Sequence, residues 1–413
     1  MAGAGTPKTV SVILTPACNL RCAYCYQDRR GRGQMPWGTL RPALDLLLGS
    51  AQREAGLEFY GGEPLLAFPL LQRAVVYAEA RRPPGLRLRC GVTTNGLLLD
   101  QRRSAFLARH RVRTSLSFDG LPAAQDQRSP GSFARLDRTL DRLRLRHPRF
   151  FGKHVEVGLT LTAANLTMLA DSVEYFFGKR LRTIHLNPRL TPDPDWRPDS
   201  IDELDRQLAR VYRSSRRLYE RTGQVPLVLF RKAGRPARNQ TQEGRMCGAG
   251  SGLALSVDVD GQVTGCVLFA GSYRSESWNR LKPGLAALQI GRLGDPAFGV
   301  QLAAYPERAR ESGLLVRPPG AHSSYGRCSE CRYRHRCHVC PASIGSGDGD
   351  PTRVPDVFCA YTSVALKYRD RFPRQPAKGD FRLPGPLPRI LRDILSASGR
   401  KPVPQALTRL LEK

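Results

Sequence analysis

Residues 9–26 read TVSVILTPACNLRCAYCY, and this stretch decides how the rest of the chain is interpreted. Its first part, Thr9–Leu14, has the β-branched, apolar pattern of a strand. The loop that follows places Cys18, Cys22 and Cys25 within eight residues. Three thiolates are one fewer than a structural zinc site requires, whereas a four-iron cluster held by three cysteines leaves one iron open for a small ligand. The stretch therefore predicts a strand that leads into a metal loop with a reactive position.

The chain up to about residue 190 alternates short apolar runs with longer helical patterns, which is typical of βα units and a parallel sheet. The predicted strands are Thr9–Leu14, Leu57–Phe59, Leu86–Val92, Arg113–Phe118, Val155–Leu161 and Thr183–Leu186. The predicted helices are Thr39–Glu54, Leu66–Ala80, Gln101–Arg109, Phe133–Arg146 and Leu166–Phe177. The fold class that follows is α/β, a partial (β/α)6 TIM barrel whose functional loops leave the carboxyl ends of the strands.

Short polar or glycine-rich motifs follow several other predicted strands. The sequence Gly61-Gly62-Glu63-Pro64 comes after the second strand, Thr94-Asn95 after the third, and Ser117-Phe118-Asp119-Gly120 ends the fourth. Each motif alone would be interpreted as an ordinary turn. Their shared position at strand ends predicts that they meet the cysteine loop at one mouth of the barrel.

A second group of cysteines lies in a Gly-rich region between about residues 240 and 360. Its members are Cys247, Cys266, Cys328, Cys331, Cys337, Cys340 and Cys359. In a cytosolic chain such thiols are interpreted as metal ligands and not as disulfides. The alternating stretch Leu253–Val259 and the turn Asp260-Gly261 predict a hairpin that brings Cys247 and Cys266 together. Because periodic apolar sequence is scarce here, we expect bound metal, and not a conventional core, to hold the region together.

Composition limits the class of protein. The chain has 413 residues, more than one core usually supports, so two domains are expected. It has no apolar run of membrane-spanning length and no secretory signal pattern, which predicts a cytoplasmic protein without a membrane partner. The formal net charge is +29, but the arginines are spread over helix faces, so a nucleic-acid partner is not expected. Cys90, alone in a strand, is interpreted as a core residue.

The predicted domain boundaries follow these changes in pattern. They are a barrel over 1–190, a connector with a helix over 191–239, a cysteine-rich domain over 240–375, and a basic Pro-rich tail over 376–413. The connector helix is predicted from Ile201 to about Arg221. Two short tail helices are predicted at Pro388–Leu395 and Gln405–Leu411.

The first cysteine motif, with an aromatic residue before its last cysteine, closely resembles that of the radical SAM enzymes. The order of the later cysteines resembles the SPASM domain, which follows the barrel in many of these enzymes and binds two auxiliary [4Fe-4S] clusters. The resemblance implies that S-adenosylmethionine binds the open iron and is cleaved by one electron to a 5′-deoxyadenosyl radical. The implied contacts to S-adenosylmethionine are Tyr24, Gly61, Gly62, Glu63, Pro64, Thr94, Asn95 and Ser117.

The resemblance also implies how the cysteines divide. Cys18, Cys22 and Cys25 would hold the catalytic cluster. An outer auxiliary cluster would use Cys328, Cys331, Cys337 and Cys359, and an inner one Cys247, Cys266 and Cys340, which is one ligand short. The chain departs from the family in having two residues, where three are usual, between Cys337 and Cys340. Zinc at the later cysteines is the alternative.

What the resemblance implies about function is hydrogen abstraction from a ribosomally made peptide or protein, giving a crosslink, a thioether or an oxidation. Implied partners are that precursor, a low-potential electron donor of the flavodoxin or ferredoxin type, and a separate leader-binding protein. Sulfatase maturation is disfavoured because Val267 replaces the acidic residue that those enzymes carry after the Gly-x-x-x-x-Cys motif. Two alternatives stay open: a radical SAM enzyme acting on a small-molecule or carrier-bound substrate, and a non-enzymatic metal protein that binds nucleic acid. The general base is not identified.

Overall fold

The computed structural model describes residues 7–27, 33–49, 52–232, 247–273, 286–345, 350 and 352–375. The described residues before Lys232 and from Cys247 to Phe372 belong to one compact unit. A second unit is represented among them by Lys232 and residues 373–375. The two predicted tail helices lie outside the described residues.

A parallel sheet forms the first part of the compact unit, because each strand is followed by helical sequence that returns the chain to the same edge. Its strands are β1 (Thr9–Ile13), β2 (Glu54–Tyr60), β3 (Arg87–Thr94), β4 (Arg113–Ser117), β5 (Val155–Leu161) and β6 (Ile184–Pro188). The helices between and after them are α1 (Trp37–Leu48), α2 (Phe68–Arg81), α3 (Gln101–Arg109), α4 (Pro122–Gln125), α5 (Ser132–Arg146), α6 (Pro148–His154) and α7 (Leu169–Gly178). The strands lie in chain order, which confirms the predicted partial barrel.

The helix predicted over Thr39–Glu54 is wrong at its end. Helix α1 stops at Leu48, with Gly49 as its C-cap and the Gly49 N–H bonded to the Asp45 carbonyl, and Glu54 already begins β2. The short helices α4 and α6 were not predicted. Both begin with a proline, which suits a first turn because its nitrogen has no hydrogen to leave unpaired.

The predicted hairpin is present and extends the barrel sheet. Strand β7 (Ala254–Val257) pairs antiparallel with β8 (Gln262–Thr264), and β9 (Gln289–Arg292) follows. The turn has Gly261 at φ +87°, a left-handed conformation that favours glycine. On its other edge β7 pairs in parallel with β1, from Thr9 opposite Ala254 to Val12 opposite Val257. This second pairing was not predicted, and it joins the cysteine-rich region to the first strand of the barrel.

Helices complete the compact unit. The connector helix α8 (Ser200–Thr222) matches its prediction within a residue. The cysteine-rich region adds α9 (Phe298–Glu311), α10 (Pro341–Gly345), α11 (Asp356–Arg371) and the two-residue strands β10 (His322–Ser323) and β11 (Gly326–Arg327). No helix in the described part of the chain has both the length and the apolar character to span a membrane.

The expectation that metal alone would hold the cysteine-rich region together is wrong. Its residues Val257, Ile290, Tyr305 and Phe358 are buried in the same apolar cluster as the barrel core. Strands β7 and β9 and helices α9 and α11 supply these side chains. The region is therefore a layer added to the barrel core, which burial of apolar surface stabilises directly.

Substitution of Gly265 tests how closely this layer is packed. A Cβ at Gly265 would overlap the Tyr305 hydroxyl and the Ala249 carbonyl oxygen, and the second is a backbone atom that cannot easily move. We expect Gly265→Ala to lower the free energy of unfolding by about 1–3 kcal/mol, the usual range for overpacking. Thermal unfolding of wild type and variant in the same metal-loading state measures this.

Gly299→Ala, in helix α9, is the matched control. No atom lies within 4 Å of its added Cβ, and alanine favours helix over glycine, so this variant should be unchanged or more stable by up to about 1 kcal/mol. Equal melting temperatures for the two variants would contradict the close packing of Gly265 against Tyr305.

Candidate active site

The loop after β1 and the loop after β2 are joined through their backbones. The Leu14 N–H donates to the Tyr60 carbonyl, at 2.9 Å between nitrogen and oxygen. The N–H groups of Gly62 and Glu63 then donate to the carbonyls of Thr15 and Ala17, both at 2.8 Å. The predicted cysteine loop and the predicted glycine motif are therefore neighbours at the carboxyl end of the sheet.

This contact explains both glycines. A Cβ on Gly61 would lie 2.5 Å from the Thr15 carbonyl oxygen, and one on Gly62 would overlap the Ala17 carbonyl. Neither glycine has the left-handed conformation. The close approach that requires glycine is thus made by the backbone leading to Cys18, whereas the sequence suggested a bound ligand.

Glu63 connects the glycine motif to the loop after β3. Its side chain is fully buried and accepts hydrogen bonds from the Leu65 N–H (3.0 Å), the Thr94 hydroxyl (2.7 Å) and the Asn95 N–H (2.7 Å). Burial raises the pKa of Glu63 to about 7, although these three donors act in the opposite direction. Glu63 therefore holds the Thr94-Asn95 loop in place, and its carboxyl group is engaged within the protein.

The Asn95 side chain reaches the cysteine loop. Its Nδ2 donates to Asn19 Oδ1 at 2.8 Å and lies 4.0 Å from Cys18 Sγ. Ser117 is the last residue of β4. It lies on the same face of the strand as Arg113, and its side chain is partly exposed. The predicted contacts of these residues with S-adenosylmethionine remain predictions.

A buried network that includes Arg128 was missed from the sequence. Arg128 donates from Nε and Nη2 to the two carboxylate oxygens of Asp119, at 3.0 and 2.9 Å, and Asp119 also accepts from the Thr160 N–H and the Tyr24 hydroxyl. Asp119 is fully buried and Arg128 nearly so. Burial acts to lower the pKa of Arg128, but the charge of Asp119 outweighs burial and holds that pKa above its usual value. The sequence signal that could have revealed this network was Asp119 at the end of β4, because a buried carboxylate requires a hydrogen-bonding or charged partner.

This network occupies the Tyr24 side chain. The ring is buried and the Arg128 guanidinium lies 5.2 Å from its centroid. Burial raises the pKa of Tyr24 well above its usual value. The Tyr24 hydroxyl is therefore tied to the buried Asp119–Arg128 pair, and the predicted contact of Tyr24 with S-adenosylmethionine remains a prediction.

The three thiols of the loop lie close together in a partly buried setting. Burial raises the pKa of Cys22 to about 11, Arg128 opposes that rise, and Cys25 and Cys18 add to it. A positive charge beside thiols favours their ionised, metal-binding form. Arg128 is the positively charged side chain that acts on Cys22 in this way.

The later cysteines lie in two neighbourhoods, and the metal ligation that the resemblance implies for them remains a prediction. Burial raises the pKa of Cys340 to about 12, and the nearby Cys266 and Cys247 contribute. Burial likewise raises the pKa of Cys359 to about 11.

Three other thiols near Cys359 also raise its pKa, namely Cys337, Cys328 and Cys331. These four thiols line one cavity of about 300 Å³. Cys90, by contrast, packs against the barrel core with a pKa raised by burial to about 12, as a core thiol should.

Tyr26 lies near one thiol of the barrel loop and one of the inner group. Burial raises the pKa of Tyr26, and Tyr60, Cys25 and Cys266 raise it further in that order. Tyr273 packs edge-on against Tyr26, with 5.5 Å between ring centroids. Cys25 and Cys266 are thus both within electrostatic reach of one side chain in an aromatic pair.

A line of charged side chains crosses the inner face of the sheet and was also missed. Arg113 on β4 reaches over Gly91 to Glu58 on β2, at 2.7 Å, and its other Nη contacts Glu156 on β5. His185 Nε2 on β6 is 3.4 Å from Glu156. Burial raises the pKa of Glu156, but His185 and Arg113 outweigh it and hold that pKa below its usual value. The interior of the barrel is therefore polar and can receive a charged or hydrogen-bonding substrate.

The donor set fits iron better than a hard metal. The three clusters of side chains offer thiols, which favour zinc or iron-sulfur groups over magnesium or calcium. Within the described ranges, no three cysteine, histidine or carboxylate side chains are placed so that they could hold a metal ion as they stand. Thiols bind metal as thiolates, so binding of a cluster by these cysteines would release protons.

Comparison with known proteins agrees with this arrangement. Residues 12–162 match the profile of the Radical SAM superfamily, so the chain contains a radical SAM domain, whose family implies S-adenosylmethionine and a [4Fe-4S] cluster. GTP 3′,8-cyclase of Chlorobaculum tepidum is 34% identical over 146 residues, 33% of this chain and 41% of the cyclase. The cysteine-type anaerobic sulfatase-maturating enzyme of Clostridium perfringens is 28% identical over 122 residues, 27% of this chain and 33% of that enzyme. The matches thus span less than half the length of these two relatives.

Solved structures show the same fold over more of the chain. The structure of anSMEcpe with bound AdoMet and Kp18Cys peptide has a TM-score of 0.67, covering 88% of this chain and 97% of that one at 16% identity. The structure of Streptococcus suis SuiB bound to precursor peptide SuiA has a TM-score of 0.53, covering 86% and 76% at 15% identity. The predicted fold class, a partial barrel followed by a small cysteine-rich domain, is confirmed.

Replacing Glu63 tests the carboxyl group that joins the two loops. Its folded pKa of about 7 exceeds the ordinary value of 4.5, so its contribution is complete below about pH 4.5 and is lost as the pH rises toward 7. We expect the stability of wild type relative to Glu63→Gln to fall across this window and to level off above it. Denaturant unfolding of both proteins between pH 4.5 and 8, anaerobically and in one metal-loading state, measures the difference.

Glu220→Gln on helix α8 serves as the control, because that carboxylate is exposed and paired with Arg216. Its difference from wild type should not change over the same window. Parallel pH curves for wild type and Glu63→Gln would show that Glu63 does not titrate as its burial requires.

Proposed function

We propose that the chain is a radical SAM enzyme that abstracts hydrogen from a ribosomally made peptide or protein and so installs a crosslink, a thioether or an oxidation. The observation that carries this proposal is the meeting of the Cys18–Cys25 loop, the glycine motif and the polar barrel interior at one end of the sheet. A strand-end site of this kind is where barrel enzymes perform their chemistry.

In this proposal each part of the mouth has one task. Cys18, Cys22 and Cys25 would hold the catalytic cluster. The residues that would bind S-adenosylmethionine are Tyr24, Gly61 to Pro64, Thr94, Asn95 and Ser117. The bound cofactors supply a 5′-deoxyadenosyl radical, which is chemistry that side chains cannot provide. The protein positions the loop through the buried pair of Asp119 and Arg128 and keeps water from its base.

The auxiliary clusters are part of the proposal. Cys328, Cys331, Cys337 and Cys359 would form the outer ligand set, and Cys247, Cys266 and Cys340 the inner set with one open position. Iron at both sets would supply an acceptor for the electron that a substrate radical loses. A low-potential flavodoxin- or ferredoxin-like donor and a separate leader-binding protein complete the proposed partners.

A peptide substrate is supported by the two structures of similar fold, anSMEcpe and SuiB, each of which has a peptide bound. Formylglycine formation would need an acidic residue near Val267 to act as a base, and the two candidates, Asp258 and Asp260, both have other partners. Asp258 is buried and accepts hydrogen bonds from the Ser272 N–H and hydroxyl, and Asp260 is paired with Arg292 at 3.1 Å. Both carboxylates are thus engaged in holding the hairpin.

A small-molecule substrate is the second candidate, because GTP 3′,8-cyclases are among the relatives at 34% identity. Incubation of the reconstituted enzyme with GTP, S-adenosylmethionine and dithionite distinguishes a small-molecule substrate from a peptide substrate. GTP consumption matched to 5′-deoxyadenosine formation would favour the small-molecule function and contradict the peptide proposal.

The cysteine loop gives the direct test of the reaction class. We expect Cys18→Ala/Cys22→Ala/Cys25→Ala to abolish dithionite-driven formation of 5′-deoxyadenosine and to lower the iron content by about four per chain, the content of one cubane. Wild type should hold about twelve irons if all three ligand sets are occupied by such clusters. Anaerobic reconstitution, iron analysis and chromatography of the nucleoside products measure both quantities.

Cys90→Ala is the matched control, since that thiol packs against the core away from the three groups. It should retain cleavage and iron. A content of about four irons with cleavage intact would assign the later cysteines to zinc, and absence of cleavage in cluster-loaded wild type would exclude the radical reaction.

A further inference from the structure

The outer group of thiols opens to solvent, unlike the barrel thiols. Cys331 is exposed, whereas Cys18, Cys22 and Cys25 are each partly covered. The cavity that the four outer thiols share is also lined by Tyr325, Arg317 and Arg327. A redox group held there would have a surface edge, which is what electron exchange with another protein requires.

Positive charge surrounds this opening. From Gly326 to Cys340 the chain has four arginines and a single carboxylate, Glu330. Arg327, Arg332 and Arg334 are exposed, while Arg336 is engaged by Asp370 through two bonds of 2.8 and 2.7 Å. Arg317 and Arg334 both act to lower the pKa of Cys328, although burial dominates and raises it. The arginines therefore lie beside the thiols, and we refer to Arg327, Arg332 and Arg334 as the arginine collar.

The outer group is also connected to the reaction site through the protein. Cys337 belongs to the outer group and Cys340, three residues later, to the inner one. The inner Cys266 and the barrel Cys25 both act on Tyr26. The outer group is therefore joined to the inner group by a short segment of chain, and one thiol of the inner group and one of the barrel loop lie within electrostatic reach of the same tyrosine.

We propose that the arginine collar is the docking surface for an acidic protein that carries a low-potential one-electron cofactor. The proposal rests on the proposed function, which consumes one electron for each S-adenosylmethionine cleaved. The carrier is oxidised by one electron. That electron is consumed when the C5′–S bond breaks to give methionine and the 5′-deoxyadenosyl radical. Charge complementarity identifies the partner as acidic, and the exposed thiol group identifies it as a redox protein.

Charge reversal at the collar tests the proposal, with an acidic flavodoxin in its hydroquinone form as the probe. We expect Arg332→Glu/Arg334→Glu to slow flavodoxin-driven formation of 5′-deoxyadenosine by about tenfold or more at low salt, because electrostatic steering speeds association by about 10–1000-fold. Raising the ionic strength should reduce the difference from wild type. Dithionite-driven cleavage should change by less than about twofold, since dithionite needs no docking surface.

The matched control is Arg135→Glu/Arg138→Glu on helix α5, where both arginines are exposed on the outside of the barrel. It makes the same change in net charge and should leave the flavodoxin-driven rate within about twofold of wild type. Equal losses in the two variants would show attraction by net charge alone and would overturn the proposal.

Surface plasmon resonance with immobilised flavodoxin gives a readout that does not depend on catalysis. The collar variant should bind at least about tenfold more weakly than the α5 control. If the collar variant keeps its affinity for flavodoxin but loses affinity for an acidic peptide or an RNA oligonucleotide, the collar binds a different partner and the docking proposal is overturned. Wild type that binds flavodoxin at the collar without cleaving S-adenosylmethionine would instead contradict the proposed function.

Discussion

The parallel pairing of β1 with β7 is the constraint on which the rest of the structure depends. Strand β1 leads directly into the first cysteine loop, and β7 leads through a four-residue turn to β8 and Cys266. Because β8 runs back antiparallel beside β7, the pairing of β7 with β1 brings the hairpin that carries Cys266 against the first barrel strand. Tyr26, just after the first cysteine loop, lies within electrostatic reach of both Cys25 and Cys266.

The loops at this edge are held by buried hydrogen bonds among protein groups. Glu63 fixes the loop after β3, and the pair of Asp119 and Arg128 fixes the segment beneath Tyr24. A buried carboxylate is costly unless its oxygens are satisfied, and these are. Hydrogen bonds among protein groups therefore hold the loops of the mouth, and such pre-organisation lowers the conformational cost of binding a cofactor.

The same burial sets the chemistry of the thiols. Cys22, Cys266 and Cys340 all have pKa values raised by loss of water. Cluster assembly must therefore remove protons from thiols that resist ionisation, and metal affinity should rise with pH. The exposed Cys331 differs in setting from these three, which are all partly covered.

Much of the fold and of the site was already determined by the sequence, because local patterns specify local structure. Strand periodicity gave the six barrel strands, and Val155–Leu161 was predicted to the residue. The spacing of Cys18, Cys22 and Cys25 indicated the reaction class, since ligand number limits what a metal site can do. Tertiary structure alone decided the pairing of β1 with β7, the partner of Asp119 and the charged line from Glu58 to His185. The strand pairing and the charged line join residues far apart in the chain, and Asp119 meets Arg128 nine residues later only because a turn and a short helix fold back. A local sequence pattern does not record which group will satisfy a buried charge or a free strand edge.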